Sequence, residues 1–172
     1  MKIIIVKDYA EMSKLGAEII ANKIKENDHA FLGLATGSSP IGTYQNLVKM
    51  YNDGEISFKN ITTYNLDEYC GINRSHPQSY YYFMHDNLFN HVDIKEENTH
   101  VPYAAPGSDL DAEAKKYTEA LNSVEIDLQL LGIGGNGHIG FNEPGTPFDQ
   151  ETFVVTLAEK TREDNKRFFN SI

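Results

Sequence analysis

An α/β fold, a three-layer α/β/α sandwich with a mostly parallel sheet, is what this sequence predicts, and two features carry the prediction. Short apolar or β-branched runs alternate with stretches of helical periodicity, and each run passes into a loop rich in Gly, Ser, Thr, Asn or Asp. The length of 172 residues suits one domain, 1–172, and 40% hydrophobic content with 11% aromatics supplies a packed core. The formal net charge of −10 argues against nucleic acid and anionic membrane as partners, since both would repel the chain; an anionic small ligand would need a local positive site. The single cysteine, Cys70, is expected to be a small, partly buried filler, which suits a reducing, cytoplasmic setting. No apolar run approaches the ~20 residues of a membrane span.

Residues Lys2–Val6 read as a strand buried on both faces. Asp8, with Glu11 in capping-box spacing, opens a helix whose apolar face is Met12, Leu15 and Ile19, reinforced by Ile20 and Ile24, and Asn27-Asp28 ends it. Ala30–Ala35 is a second strand, followed by Thr36-Gly37-Ser38-Ser39-Pro40 and a helix through Tyr44, Leu47, Val48 and Tyr51. Small residues at a helix N-terminus make a phosphate cradle, but Ser39 before Pro40 is equally an ordinary N-cap, and both readings stand on the local sequence.

Ile61–Leu66 is a third strand, ending at Asp67-Glu68, where Asp67 is either a turn or helix cap or a reacting group on rigid scaffolding. His76–Phe89 opens an aromatic-rich helix without a basic residue from Pro77 on, so its rings are expected in the core rather than stacked on bases. Asn98–Pro102 is a short strand, and Ser108-Asp109 caps a charged helix through Leu121. Thr152–Leu157 reads as a strand and Glu159–Phe169 as a helix with a basic cluster at Arg162, Lys166 and Arg167. His76, His85, His91 and His100 lack zinc-ligand spacing, and neither metal nor cofactor is implied.

The most informative stretch is Leu131–Pro144, Leu-Gly-Ile-Gly-Gly-Asn-Gly-His-Ile-Gly-Phe-Asn-Glu-Pro. The apolar run Ile126–Ile133 leads into it and reads as a buried strand. Its glycines allow close backbone approach to a ligand, and His138 and Glu143 can move protons. The loop lacks both the dinucleotide-binding Gly-x-G-x-x-Gly and the Walker Gly-Lys-Ser/Thr spacing, which lowers nucleotide binding.

The string Gly-Asn-Gly-His-Ile-Gly-Phe-Asn-Glu-Pro closely resembles the active-site signature of glucosamine-6-phosphate deaminases. Leu-Ala-Thr-Gly-Ser-Ser-Pro and Asn-Leu-Asp-Glu-Tyr are similar to that family's phosphate loop and enolisation-base motif, and the order and approximate spacing also agree. The resemblance implies a Rossmann-like sheet of the ribose-5-phosphate isomerase and CoA transferase kind. It also implies conversion of glucosamine 6-phosphate and water into fructose 6-phosphate and ammonium. By the same resemblance, Asp67 moves the C2 proton, and His138 with Glu143 opens the sugar ring. Thr36, Gly37, Ser38, Ser39 and Arg167 hold the phosphate. Asn136 stands where some relatives have Asp, replacing a carboxylate partner of His138 by an amide.

Family members continue beyond this point, so a C-terminal portion with a phosphate-contacting lysine is expected to be missing. The uncovered sheet edge that this would leave favours self-association. Two other readings remain at this stage. A 6-phosphogluconolactonase has a similar Gly-His loop, but usually continues it with Ser-Leu-Phe-Pro rather than Phe-Asn-Glu-Pro. A non-catalytic sugar-phosphate-binding module would bind without turnover.

Overall fold

The computed structural model describes residues 1–166. Asp8 caps helix α1 (Tyr9–Glu26) by accepting the Glu11 N–H, while the Glu11 carboxylate takes the Lys7 N–H. The capping spacing read from the sequence is thus a physical cap. Strand β1 (Phe31–Leu34), helix α2 (Ile41–Asn52) and strand β2 (Thr62–Asn65) follow. Helix α3 (Tyr80–Asn87) is capped by Ser79, and helix α4 (Leu110–Asn122) by Asp109. Strand β3 (Thr99–His100) precedes α4, strand β4 (Leu128–Gln129) follows it, and helix α5 (Glu159–Lys166) ends the described chain.

The four strands lie in the order β3-β2-β1-β4, and each pairing is parallel. Leu32 and Leu34 of β1 face α1 and α2, forming a core with Ala17, Ile20, Ile24, Tyr44, Leu47, Phe58, Ile61 and Met84. On the opposite face, Gly33 registers with Tyr64 and Gln129, and Tyr64 with His100. There Tyr117 of α4 stands edge-on to Tyr64, its ring centroid 6.2 Å away, and its hydroxyl donates to the Asn65 carbonyl at 2.7 Å. Helices on both faces of a parallel sheet make the predicted α/β sandwich.

Helices α1 and α2 meet through small residues. A Cβ on Gly42 would run into Ser13 and Tyr9, and one on Gly16 into Thr43. This close approach changes the expected face of α1. The buried residues are Ser13, Ala17, Ile20, Ala21 and Ile24, whereas Met12 and Ile19 are exposed.

Three expected strands are corrected. Lys2–Val6 forms none, and Ile3 and Ile5 are 74% and 93% exposed. β-Branched residues favour a strand, but a strand also needs a neighbouring ladder, and this segment pairs with none among the described residues. The run Ile126–Ile133 is reduced to the two-residue β4, paired on one side with β1, and Leu131 and Ile133 are exposed rather than buried. Thr152–Leu157 also forms no strand; its first N–H goes to the Thr118 hydroxyl of α4 instead of to a ladder. Cys70 is exposed, not partly buried.

Gly42→Ala is expected to destabilise the chain by about 2 kcal/mol through overpacking of the α1–α2 contact. Ser13→Ala removes a buried hydroxyl that has no hydrogen-bond partner among the described residues, and should be neutral or stabilising. Urea midpoints of the two variants check this pair of expectations.

Candidate active site

The strand order places a change of direction at β1: β2 lies on one side of it and β4 on the other. In open α/β sheets, ligands bind outside the carboxyl ends of the strands at such a point. The loops after β1, β2 and β4 meet there around a cleft of about 170 Å³ lined by Thr36–Ser39, Asp67, Tyr80, Gly134, His138 and Asn165.

The first loop turns at Gly37, whose φ of +88° is left-handed and suits glycine. Pro40, not Ser39, occupies the N-cap position of α2, and no side chain caps that helix. Ser38 and Ser39 are exposed, so the N-cap reading of Ser39 gives way to two hydroxyls beside the positive end of a twelve-residue helix. The loop is held from behind by Tyr9, a residue that sequence reasoning missed. Its hydroxyl donates to the Ser38 carbonyl at 3.0 Å and accepts the Gly42 N–H at 2.9 Å. No sequence signal marks it, because the contact joins residues far apart in the chain.

At the end of β2, the two adjacent carboxylates have separate jobs. Glu68 accepts the backbone N–H groups of Tyr69, Tyr80 and Tyr81 at 2.8, 2.9 and 3.0 Å, binding this loop to the start of α3. Burial nevertheless raises its pKa, outweighing those hydrogen bonds. Asp67 lines the cleft. Burial, followed by repulsion from Glu68, pushes its carboxyl up to about 7. A Cβ on Gly140 would lie 3.6 Å from Asp67 Oδ2, so the central loop passes directly over this carboxyl.

Tyr69, Tyr80 and Phe141 join the loops through ring contacts at 4.8, 5.3 and 5.9 Å. The Tyr80 hydroxyl donates to that of Tyr69 at 3.2 Å. Of the rings expected in the core, Phe89 packs there beside Met84, whereas Tyr80 lines the cleft and Tyr82 is exposed.

In the central loop, the His138 ring packs against Gly134, where any Cβ would collide with it. His138 Nδ1 lies 2.6 Å from Asn136 Oδ1, which also receives the His138 N–H at 3.2 Å. An amide oxygen can only accept, so Nδ1 carries the proton and Nε2 is left as a base. The other end of Asn136 donates from Nδ2 to Glu143 Oε2 at 2.7 Å. Glu143 Oε1 accepts the Ala158 N–H at 3.0 Å, just before α5. Burial opposes the charge on Glu143, but hydrogen bonds from Thr161, Asn136 and Ala158, together with the charge of His138, outweigh it and hold its pKa below the usual carboxylate range.

The structure thus brings Thr36, Gly37, Ser38, Ser39, Asp67 and His138 to one cleft, with Asn136 and Glu143 behind His138. Arg167 lies outside the described residues. Thr161, unmarked in the sequence reading, is 1% exposed and touches Asn136. Among the described residues no His, Cys, Asp and Glu gather in a group able to hold a metal. A hydroxyl-lined helix N-terminus facing one base near neutrality and one oriented imidazole defines a class: α/β proteins that bind a phosphorylated small molecule and move protons on it.

The comparisons narrow that class. The family model for glucosamine-6-phosphate isomerases/6-phosphogluconolactonase matches residues 8–168, and this chain belongs to that family. It is 55% identical over 172 residues to a glucosamine-6-phosphate deaminase of Thermoanaerobacter sp. (strain X514), covering 99% of this chain and 68% of the relative. It is 49% identical over 170 residues to glucosamine-6-phosphate deaminase 2 of Bacillus subtilis (strain 168), covering 98% and 68%. A solved monomeric glucosamine-6-phosphate deaminase superposes with a TM-score of 0.96 at 48% identity, covering 99% of this chain and 71% of that one. A 6-phosphogluconolactonase from Leishmania guyanensis shares the fold at a TM-score of 0.74 and 18% identity, covering 91% and 70%.

Because the folded pKa of Asp67 lies above its ordinary 3.8, the folded chain keeps a proton that the unfolded chain releases, and stability falls as pH rises from there to about 7. Asp67→Asn should therefore raise Tm at pH 8 by about 5 °C and have little effect near pH 3.5, measured by thermal denaturation at both values. Tyr9→Phe frees the Ser38 carbonyl and the Gly42 N–H; KM for a phosphorylated substrate should rise about fivefold with kcat nearly unchanged, a loss typical of one hydrogen bond.

Proposed function

We propose that this chain converts glucosamine 6-phosphate and water into fructose 6-phosphate and ammonium. The observation that carries the reading is the placement of Asp67, a carboxyl titrating near neutrality, in the same cleft as a His138 whose Nδ1 proton is held by Asn136. An aldose-to-ketose shift needs both groups. In the proposed sequence His138 Nε2 takes the proton of the C1 hydroxyl and returns it to the ring oxygen, opening the pyranose. Glu143, held ionised, stabilises the imidazolium formed between these two transfers. Asp67 then removes the C2 proton and delivers it to C1 while a proton passes from the amino group to O1, giving an imine at C2 beside a C1 hydroxyl. Water adds to that carbon and ammonium leaves.

The phosphate would rest on the Thr36–Ser39 loop and the N-terminus of α2, with Arg167 as its cation. Its binding energy orients the reacting carbons. The partner in this reading is a small amino-sugar phosphate, with no role for nucleic acid or membrane. The setting is cytoplasmic breakdown of amino sugars, consistent with the lone cysteine. No helix among the described residues is long and apolar enough to cross a membrane. Glu143 within Phe-Asn-Glu-Pro favours the deaminase reading over the lactonase one, whose loop usually continues with Ser-Leu-Phe-Pro and so lacks this acidic partner of the histidine.

Ammonium release from glucosamine 6-phosphate tests the reading, with a rate that rises with pH through about 7 as Asp67 ionises. Asp67→Asn should abolish C2–H exchange into deuterated water while leaving sugar-phosphate binding within about threefold, since no binding bond is lost. Normal exchange in that variant, or ammonium release that ignores pH across this range, would overturn the assignment.

A further inference from the structure

We infer that Thr161 is a positioning residue for proton transfer, its hydroxyl tying helix α5 to the His138–Asn136–Glu143 chain so that the helix lining the cleft and the acid–base groups hold one geometry. The inference rests on the deaminase reading for its kinetic consequence, but not for its structural one.

Thr161 is 1% exposed, although it belongs to a short helix that is otherwise strongly polar. Its Oγ1 lies 3.4 Å from Asn136 Nδ2 and 3.5 Å from His138 Nδ1, and its hydroxyl is among the groups that hold the pKa of Glu143 down. The donors and acceptors can be assigned without conflict. Asn136 Nδ2 has two hydrogens, one for Glu143 Oε2 and one for Thr161 Oγ1. Glu143 is acceptor-only, so the single Thr161 hydrogen is oriented toward it, while the His138 Nδ1–H stays on Asn136 Oδ1 at 2.6 Å with the Thr161 oxygen 3.5 Å away. Every member of the chain therefore meets this one hydroxyl.

Helix α5 is attached to Glu143 at a second point, through the Ala158 N–H, and it presents Asn165 to the cleft one turn beyond Thr161. Ala158 N–H holds Glu143 Oε1 and Asn136 Nδ2 holds Oε2, and the Thr161 hydroxyl, touching Asn136 from the first turn of α5, keeps that second bond aligned with the helix. Glu143 in turn fixes which way the Asn136 amide faces, and so which nitrogen of His138 is the base. Among the described residues, His138, with Nδ1 3.9 Å from Glu143 Oε2, is the titratable side chain that acts on Glu143, and the hydroxyl acts on it beside the Asn136 and Ala158 hydrogen bonds, which Thr161→Ser leaves in place.

The test compares Thr161→Val, which keeps the shape and removes the hydroxyl, with Thr161→Ser, which keeps the hydroxyl. In Thr161→Val the Glu143 titration, followed by carbon NMR of the side chain, should move upward into the usual carboxylate range. There kcat should fall about tenfold with KM within about twofold, as expected for one lost hydrogen bond to a charged group. Thr161→Ser should restore both. An unchanged Glu143 titration in Thr161→Val, or an equal loss in Thr161→Ser, would overturn the inference and leave Thr161 as packing. Should Thr161→Val fail to fold, Thr161→Ala is read in its place against the same two outcomes. If the unmodified chain releases no ammonium, the deaminase reading has failed, and the Glu143 titration still decides the role of Thr161.

Discussion

Parallel pairing of β1 with both β2 and β4 is the constraint on which the site depends. A parallel ladder sends all its strands in one direction, so the loops after β1, β2 and β4 leave from the same end of the sheet. Each carries one part of the chemistry: hydroxyls and helix N–H groups, a carboxyl, and an imidazole with its support. Antiparallel order would have put one of the three at the opposite end. The packing that holds β1 in place, Leu32 and Leu34 against α1 and α2, therefore serves the cleft as well as stability.

Around that end the protein separates positioning from reaction. Glu68 places its carboxylate on three backbone N–H groups, and among the described residues no cation or donor lowers the pKa of the neighbouring Asp67. The same residue type is tuned in opposite directions within one site. Asp67 is pushed toward neutrality by burial and by Glu68, while Glu143 is held ionised by three hydrogen bonds and the imidazole. Such opposed tuning of two carboxyls is how a single pocket supplies a base near neutral pH and a permanent counter-charge.

Asn136 shows how a neutral amide can replace a carboxylate partner of His138. It accepts from Nδ1 at one end and donates to Glu143 at the other, so the negative charge is displaced by one residue while the tautomer stays fixed. Glu143, 3.9 Å from the same nitrogen, supplies the negative charge that the amide lacks. Two helices finish the arrangement, with α1 pinning the Thr36–Ser39 loop through Tyr9, and the start of α5 reaching Glu143 through the Ala158 N–H and Asn136 through Thr161.

The sequence by itself determined what depends on local spacing and residue chemistry. This includes the alternation of helices and strands, the Asp8 and Asp109 caps, the glycine-rich loop, and the candidates Asp67, His138 and Glu143, each named by a motif. Its errors lay where structure depends on a neighbour. Lys2–Val6 and Thr152–Leu157 have strand composition but no ladder to join, and Met12 and Ile19 keep helical spacing yet face outward because small residues let α2 approach from another side. Tertiary structure alone decided that Tyr9, Glu68, Tyr80 and Thr161 contact the loops around the cleft, and that the pKa of Asp67 rises while that of Glu143 falls. Those outcomes depend on burial and on contacts between residues distant in the chain, which no local pattern encodes.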